Sequence, residues 1–468
     1  MVALATGMVI APLLPAPALA CLPSGVTVLR RRPVAAQQAQ RAPAATVLLD
    51  VSGSMAGYVA APSSGNTRPT QQRSPQRQQQ TQPAQPLPEP RTFRELVLSL
   101  PQIASQVSDR VSAFGFGRTI RALSLSELQR ATRPEFYRDT ESRIGEALSR
   151  MEALPGEEIG ILATDLFLTG EEVFGGASAI RAPLSRILAD GRSVGLMGIR
   201  SGFSGTIFDI PVVRTYDGAA ERPFYVIVTG PHSAVARLIR RIEVELLSPL
   251  PPTADGSPRS HATIYTKTPI TGGPLALDLR PTAPAVVASS LSPEMGSDVR
   301  QVSFPRGEGT AAATLPLTEL AQGPVLSPDE FQIEEMIWAE TSPRNACGER
   351  WLPFRSAPGQ LAAITTSTGS SVISVGGRGV LSRMLPGVPF VLQIKVSAIG
   401  LSDAPAATAW TRAWNLEARD AERFTLERPR LFKTLNLREV ATMLEAIVRE
   451  DFQPQPVGEA VLAFQVPR

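Results

Sequence analysis

The stretch that most constrains this chain is Ala44-Ala-Thr-Val-Leu-Leu-Asp50-Val-Ser52-Gly53-Ser54-Met55. Its first half is a continuous apolar, β-branched run with no polar alternation, the pattern of a strand buried on both faces. The run ends abruptly in Asp-x-Ser-Gly-Ser. In an open parallel sheet, ligands bind at the carboxyl edge of the strands, where this loop lies. Asp50, Ser52 and Ser54 stand at i, i+2 and i+4, so one tight turn can aim all three side chains at a single point. A carboxylate with two hydroxyls suits a hard divalent cation, Mg²⁺ first, with Mn²⁺ and Ca²⁺ as further candidates. A Ser/Gly-rich turn closing a core strand reads the same over so few residues, so positions further along the chain have to decide.

Beyond residue 90 the chain alternates helix and buried strand. Phe93, Leu96, Val97, Leu100, Ile103 and Val107 recur at helical spacing, with Pro101 implying a kink or restart. Val111–Phe116 reads as a strand, Thr119–Leu125 as a short one, and Ser126 as the cap of a helix with Glu127 in its first turn. Ile144, Leu148 and Met151 form the next helical stripe. Thr140 and Ser142 precede it, either as simple caps or as the source of a further oxygen ligand. Ile159–Asp165 is a second continuous apolar strand ending in a carboxylate. A helix over Ala177–Ala189, a strand over Val194–Ile199, a Gly/Ser-rich connection, a strand over Phe224–Thr229 and a helix opened by Ser233 complete the series. The expectation is an α/β fold with a doubly wound, mostly parallel, Rossmann-like sheet over residues 44–247.

Three pieces in this order carry a resemblance: Asp50-x-Ser52-Gly53-Ser54, a hydroxyl before Ile144-Gly-Glu-Ala-Leu148, and Ala163-Thr164-Asp165. Together they resemble the von Willebrand factor type A (vWA) domain over roughly residues 44 to 247, the size of one domain. In that family such residues form a metal-ion-dependent adhesion site (MIDAS) holding Mg²⁺. The resemblance implies that Asp50, Ser52 and Ser54 supply the first loop. Ser142 would supply the second where the family has threonine, with Thr140 as the alternative, and Asp165 the third, contacting the ion through water. Leu166 stands where the family usually has glycine. It further implies binding rather than chemistry: an open position on the metal is taken by a Glu or Asp carboxylate of a partner protein.

Composition bears mainly on location and partners. The net charge of +3 does not suggest nucleic acid, and lysine occurs only at Lys267, Lys395 and Lys433. The apolar run Val2–Leu14, followed by Ala18-x-Ala20, reads as a signal peptide over residues 1–20, although no Lys or Arg precedes it. Such a signal implies export to the periplasm or cell envelope. Cys21, directly after the expected cut, resembles a bacterial lipoprotein box, which would anchor the protein to the membrane; plain cleavage after Ala20 is the alternative. Cys347 is the only other cysteine, so it is either a lone thiol or the partner of Cys21 in a disulfide. Residues 21–43 read as a tether, and the Gln/Pro/Arg-rich segment 60–90 as a disordered insert. That insert is a tolerated expansion or a flap over the site.

Residues 248–468 change to short alternating runs broken by Pro and Gly, the pattern of one or two β-sandwich-like modules. Trp410 and Trp414 lie in a stretch that fits strand or helix, while Leu435–Ile447 reads as an amphipathic helix and Ala460–Val466 as a strand. The two histidines, His232 and His261, read as loop or surface residues outside any triad or metal motif. The chain is therefore expected to be no enzyme. A structural envelope scaffold with a vestigial metal site is the alternative, and a hydrolase in the second half the least favoured reading.

Overall fold

A computed structural model of the chain describes residues 22–26, 28–29, 41–60, 91–167, 178–207, 216–253, 255–270, 273–282, 285–287, 299–305, 308–315, 323–326, 328–341, 347–354, 361–367, 370–376, 381–402, 406–417 and 431–466. The expected export signal, Cys21, insert residues 61–90 and the Cys347 side chain lie outside what is described. Among the described residues, no helix is long and apolar enough to cross a membrane.

The first layer is a sheet of seven described strands: β1 (Ala45–Asp50), β2 (Val111–Phe116), β3 (Ile120–Ala122), β4 (Ile159–Thr164), β5 (Ser193–Ile207), β6 (Tyr216–Gly230) and β7 (Ser260–Tyr265). Their order is β3-β2-β1-β4-β6-β5-β7. β1 pairs in parallel with β2, from Ala45↔Val111 to Asp50↔Phe116, and with β4, from Ala45↔Ile159 to Leu49↔Ala163. Every other pairing in this sheet is antiparallel. The sheet is thus mixed, not mostly parallel as expected, with its parallel part confined to the three strands β2, β1 and β4. The reason is the connection read as a Gly/Ser-rich loop. Residues 201–207 and 216–223 extend β5 and β6 into a hairpin of fifteen-residue strands, and β6 rather than β5 takes the place beside β4. β7 comes from beyond residue 247.

The continuous apolar runs divide their side chains between two cores. Val47 and Leu49 of β1 pack with α1 (Arg91–Val107) on one face, while Leu48 packs with Leu148 and Leu184 on the other. These last belong to α3 (Ile144–Glu152) and α4 (Ser178–Ala189). Between α1 and α3 in the chain lies α2 (Leu125–Arg130), capped by Ser124 in a capping box with Glu127 and not by Ser126. α5 (His232–Arg241) lies on the α1 side. Pro101 falls inside α1, which runs through it without a restart.

The second half contributes eleven described strands in two sheets. One runs β10 (Val286–Val287), β11 (Arg300–Ser303), β18 (Gln455–Gln465), β17 (Pro389–Leu401), β13 (Pro328–Glu340), β14 (Trp351–Pro353), with β8 (Leu275–Ala276) also on β18. The other runs β15 (Ala362–Ser367), β16 (Ser370–Gly376), β12 (Thr310–Leu315), β9 (Arg280–Thr282). Phe390 and Phe464 of the first sheet, with Phe304, meet Leu315 and Ile373 of the second in one core. Leu22, Val26 and Val28, within the expected tether, pack against the cluster of Trp351 and Val461.

The last third also returns to the α/β layer. α6 (Ala409–Trp414) and α7 (Leu437–Glu450) join the α3–α4 core. Trp410 donates Nε1–H to Thr263 Oγ1 at 2.9 Å, and a Cβ on Gly198 would sit 2.8 Å from its ring. His261 stands on β7, stacked on Trp410 at 5.9 Å, and His232 opens α5 and is buried, so neither histidine lies in a loop.

Candidate metal centre

β1 delivers Asp50 as its last residue, flanked by β2 and β4, so its carboxylate has no contact with solvent. The chain turns there because Ser52 N–H donates to Asp50 Oδ1 at 2.9 Å. Ser52 and Ser54 then face one another, with 3.0 Å between hydroxyl oxygens, and both are buried. Backbone bonds lace this loop to the next: Gly53 N–H donates to Asp139 O at 2.8 Å, and Asp139 N–H to Val51 O at 3.3 Å. The 3₁₀ segment Gly53–Tyr58 carries the chain away, pinned by Tyr58 Oη–H donating to Pro223 O at 2.6 Å. Gly57 is needed there. A Cβ on it would stand 2.3 Å from the Phe203 ring, so only glycine lets the β5–β6 hairpin approach so closely.

The second loop places its two hydroxyls differently. The residue before α3 is Arg143, whose own side chain makes no capping bond. Ser142 donates its hydroxyl to Asp50 Oδ2 at 2.7 Å, fully buried. Thr140 is exposed, and its Oγ1 accepts from Arg118 at 3.1 Å. Thr164, which the motif contains but to which the resemblance gives no role, also reaches the carboxylate: its hydroxyl donates to Asp50 Oδ2 at 2.8 Å. Parallel pairing of β1 and β4 puts it there, in the residue after Leu49↔Ala163.

Asp165 opens the third loop, completely buried, with Oδ1 accepting from Phe167 N–H at 3.1 Å. Leu166 has φ of +58° and is buried. It holds the left-handed conformation that glycine adopts freely, with its N–H on Thr164 Oγ1 at 3.2 Å. The loop keeps a glycine-type geometry with a leucine in it. Asp165 Oδ2 accepts no hydrogen bond among the described residues; it lies 3.4 Å from the guanidinium of Arg222, itself 1% exposed. Nothing in Glu221-Arg222-Pro223 marks this arginine from sequence, because only the hairpin pairing brings it to the site.

Burial first, and then the charge of Asp165, raise the Asp50 carboxyl to about 6, against the opposing hydrogen bonds from Ser52 and Ser142. The Arg222 guanidinium lies against Asp165, while the described hydrogen bonds to the Asp50 carboxylate come from neutral groups. The oxygens that converge are hard donors: two carboxylates and the hydroxyls of Ser52, Ser54, Ser142 and Thr164. No three carboxylate, imidazole or thiol groups cluster among the described residues, so any cation here would rely on hydroxyls. That donor set fits Mg²⁺, which retains waters and takes few protein charges. No family model, curated protein or solved structure matches the chain.

Proposed function

We propose that this chain is a metal-dependent docking protein of the vWA type, exported to the periplasm or cell envelope. The observation that carries this reading is the gathering of the Ser52, Ser54, Ser142 and Thr164 hydroxyls around the buried Asp50 carboxylate, with the charge of Asp165 close by. Asp50, Ser52, Ser54 and Ser142 would hold Mg²⁺, with Asp165 acting at longer range. Bound there, the ion would supply a Lewis-acidic position open to a carboxylate of a partner protein. The chain's own part is to bury Asp50, to fix Ser52 and Ser54 on one turn, and to hold Ser142 against the carboxylate. Its role is recognition and not catalysis.

A second reading rests on one observation, the buried Arg222–Asp165 pair. A guanidinium beside the third loop could stand in for a metal altogether, and the protein would then be an envelope scaffold. Manganese separates the two. Mn²⁺ added to the full chain is expected to enhance water-proton relaxation, and acetate or a Glu-containing peptide to reduce the enhancement by displacing bound water. No enhancement at millimolar Mn²⁺ would favour the scaffold.

A further inference from the structure

We infer that Arg222 is a resident counter-cation that weakens the divalent-ion affinity of this site and keeps Asp165 out of direct coordination. The inference rests on the metal-site reading and goes beyond it, because it assigns a residue that none of the site motifs contains. The fold explains how the arginine arrives. Thr164↔Tyr225 is the last pair between β4 and β6, so Arg222 lies three positions past it, beside the third loop. Its cross-strand partner is Ser201, and its guanidinium carbon stands 5.4 Å from the Phe203 ring centroid. Phe203 in turn packs edge-on to Tyr58 at 5.0 Å, so the arginine is walled in by the segment that leads away from Ser54.

The bland alternative is a structural staple, and two other buried arginines show what staples look like here. Arg192 donates to the carbonyls of Met151, Glu152 and Leu154 and pairs with Asp190. Arg200 holds Glu221 and Asp255. Those pairs tie elements together away from the three loops. Arg222 differs in that one of its partners is the third-loop carboxylate, whose charge already reaches Asp50. A guanidinium and a divalent ion sharing one carboxylate in a water-poor region repel each other. Asp165 has one oxygen on Phe167 N–H and the other toward Arg222, so turning to an ion would forfeit one of these contacts. Arg222 thereby acts as a positioning residue.

The test is calorimetric titration of Mg²⁺ into the full chain and its variants, each checked for folding by circular dichroism. Arg222→Gln is expected to tighten the Mg²⁺ dissociation constant by about tenfold or more, since one unit of like charge is removed from a poorly screened region. Arg222→Lys keeps the charge and should stay near wild type, which a merely steric role would not produce. Asp50→Asn should remove the binding. Equal or weaker binding by folded Arg222→Gln overturns the inference and leaves the metal reading standing. Where that variant fails to fold, Asp165→Asn is compared with Asp165→Asn/Arg222→Gln; the double variant must bind the ion more tightly, and equal affinity overturns the inference. Binding absent from wild type but present in Arg222→Gln supports the inference and overturns the docking reading for the natural chain. Binding absent from both overturns both.

Discussion

Asp50 is an expensive residue to keep charged. Its folded carboxyl, at about 6, lies above the ordinary value of 3.8, so the folded state holds its proton more tightly than the unfolded chain. Stability from this group is therefore fully present below the unfolded value and is lost as pH rises through the folded one. Near neutrality the ionised carboxylate costs about 3 kcal/mol relative to acid, in the absence of a cation. In chelator, the melting-temperature difference between Asp50→Asn and wild type is expected to grow in favour of the asparagine as pH rises from about 5 to about 7. A constant difference across that range would show that burial does not act on Asp50 in this way. Leu166 makes a second residue-scale claim. Its left-handed backbone costs about 1–2 kcal/mol, while its buried side chain contributes about 1.5–3 kcal/mol. Leu166→Gly should therefore be less destabilising than Leu166→Ala by about 1 kcal/mol, reversing the usual order of these two truncations. Denaturant unfolding of both variants decides it, and alanine above glycine would mean the strain is absent.

At the scale of elements, periodicity is a good guide where burial is two-sided or helical. The runs at Thr46–Asp50 and Ile159–Thr164 are strands because every residue in them is buried, leaving no polar phase to misread. The hydroxyl at Ser142 is legible for a similar reason: the stripe of Ile144, Leu148 and Met151 marks where helix α3 begins, and the serine just before it meets Asp50. The β5–β6 hairpin is not legible. Its outer half carries Gly202, Ser204, Gly205, Gly218 and Ala219, a turn-like composition whose strand state comes from cross-strand pairing over fifteen positions. Without the hairpin, neither the antiparallel neighbour of β4 nor Arg222 can be placed. Thr164 escapes assignment because its role depends on register between β1 and β4, which no local pattern encodes. Leu166 shows the converse limit, since a residue can hold the conformation another residue type would signal.

In the molecule as a whole, the α/β layer and the β-rich half are interlocked. β7, α6 and α7 come from after residue 247 and complete the sheet edge and the α3–α4 core. The last strand, β18, lies between β11 and β17 inside the second sheet. Unfolding is thus expected to couple the two halves, so a cation bound by the three loops stabilises the whole chain by mass action. The most direct measurement is the melting temperature of the full chain in chelator and in millimolar Mg²⁺, for wild type and Asp50→Asn. A metal-holding site predicts a Mg²⁺-dependent rise of several degrees in wild type and none in Asp50→Asn, the size expected for about 1–3 kcal/mol of binding linkage. A wild-type melting temperature that ignores Mg²⁺, or an equal rise in Asp50→Asn, would contradict it.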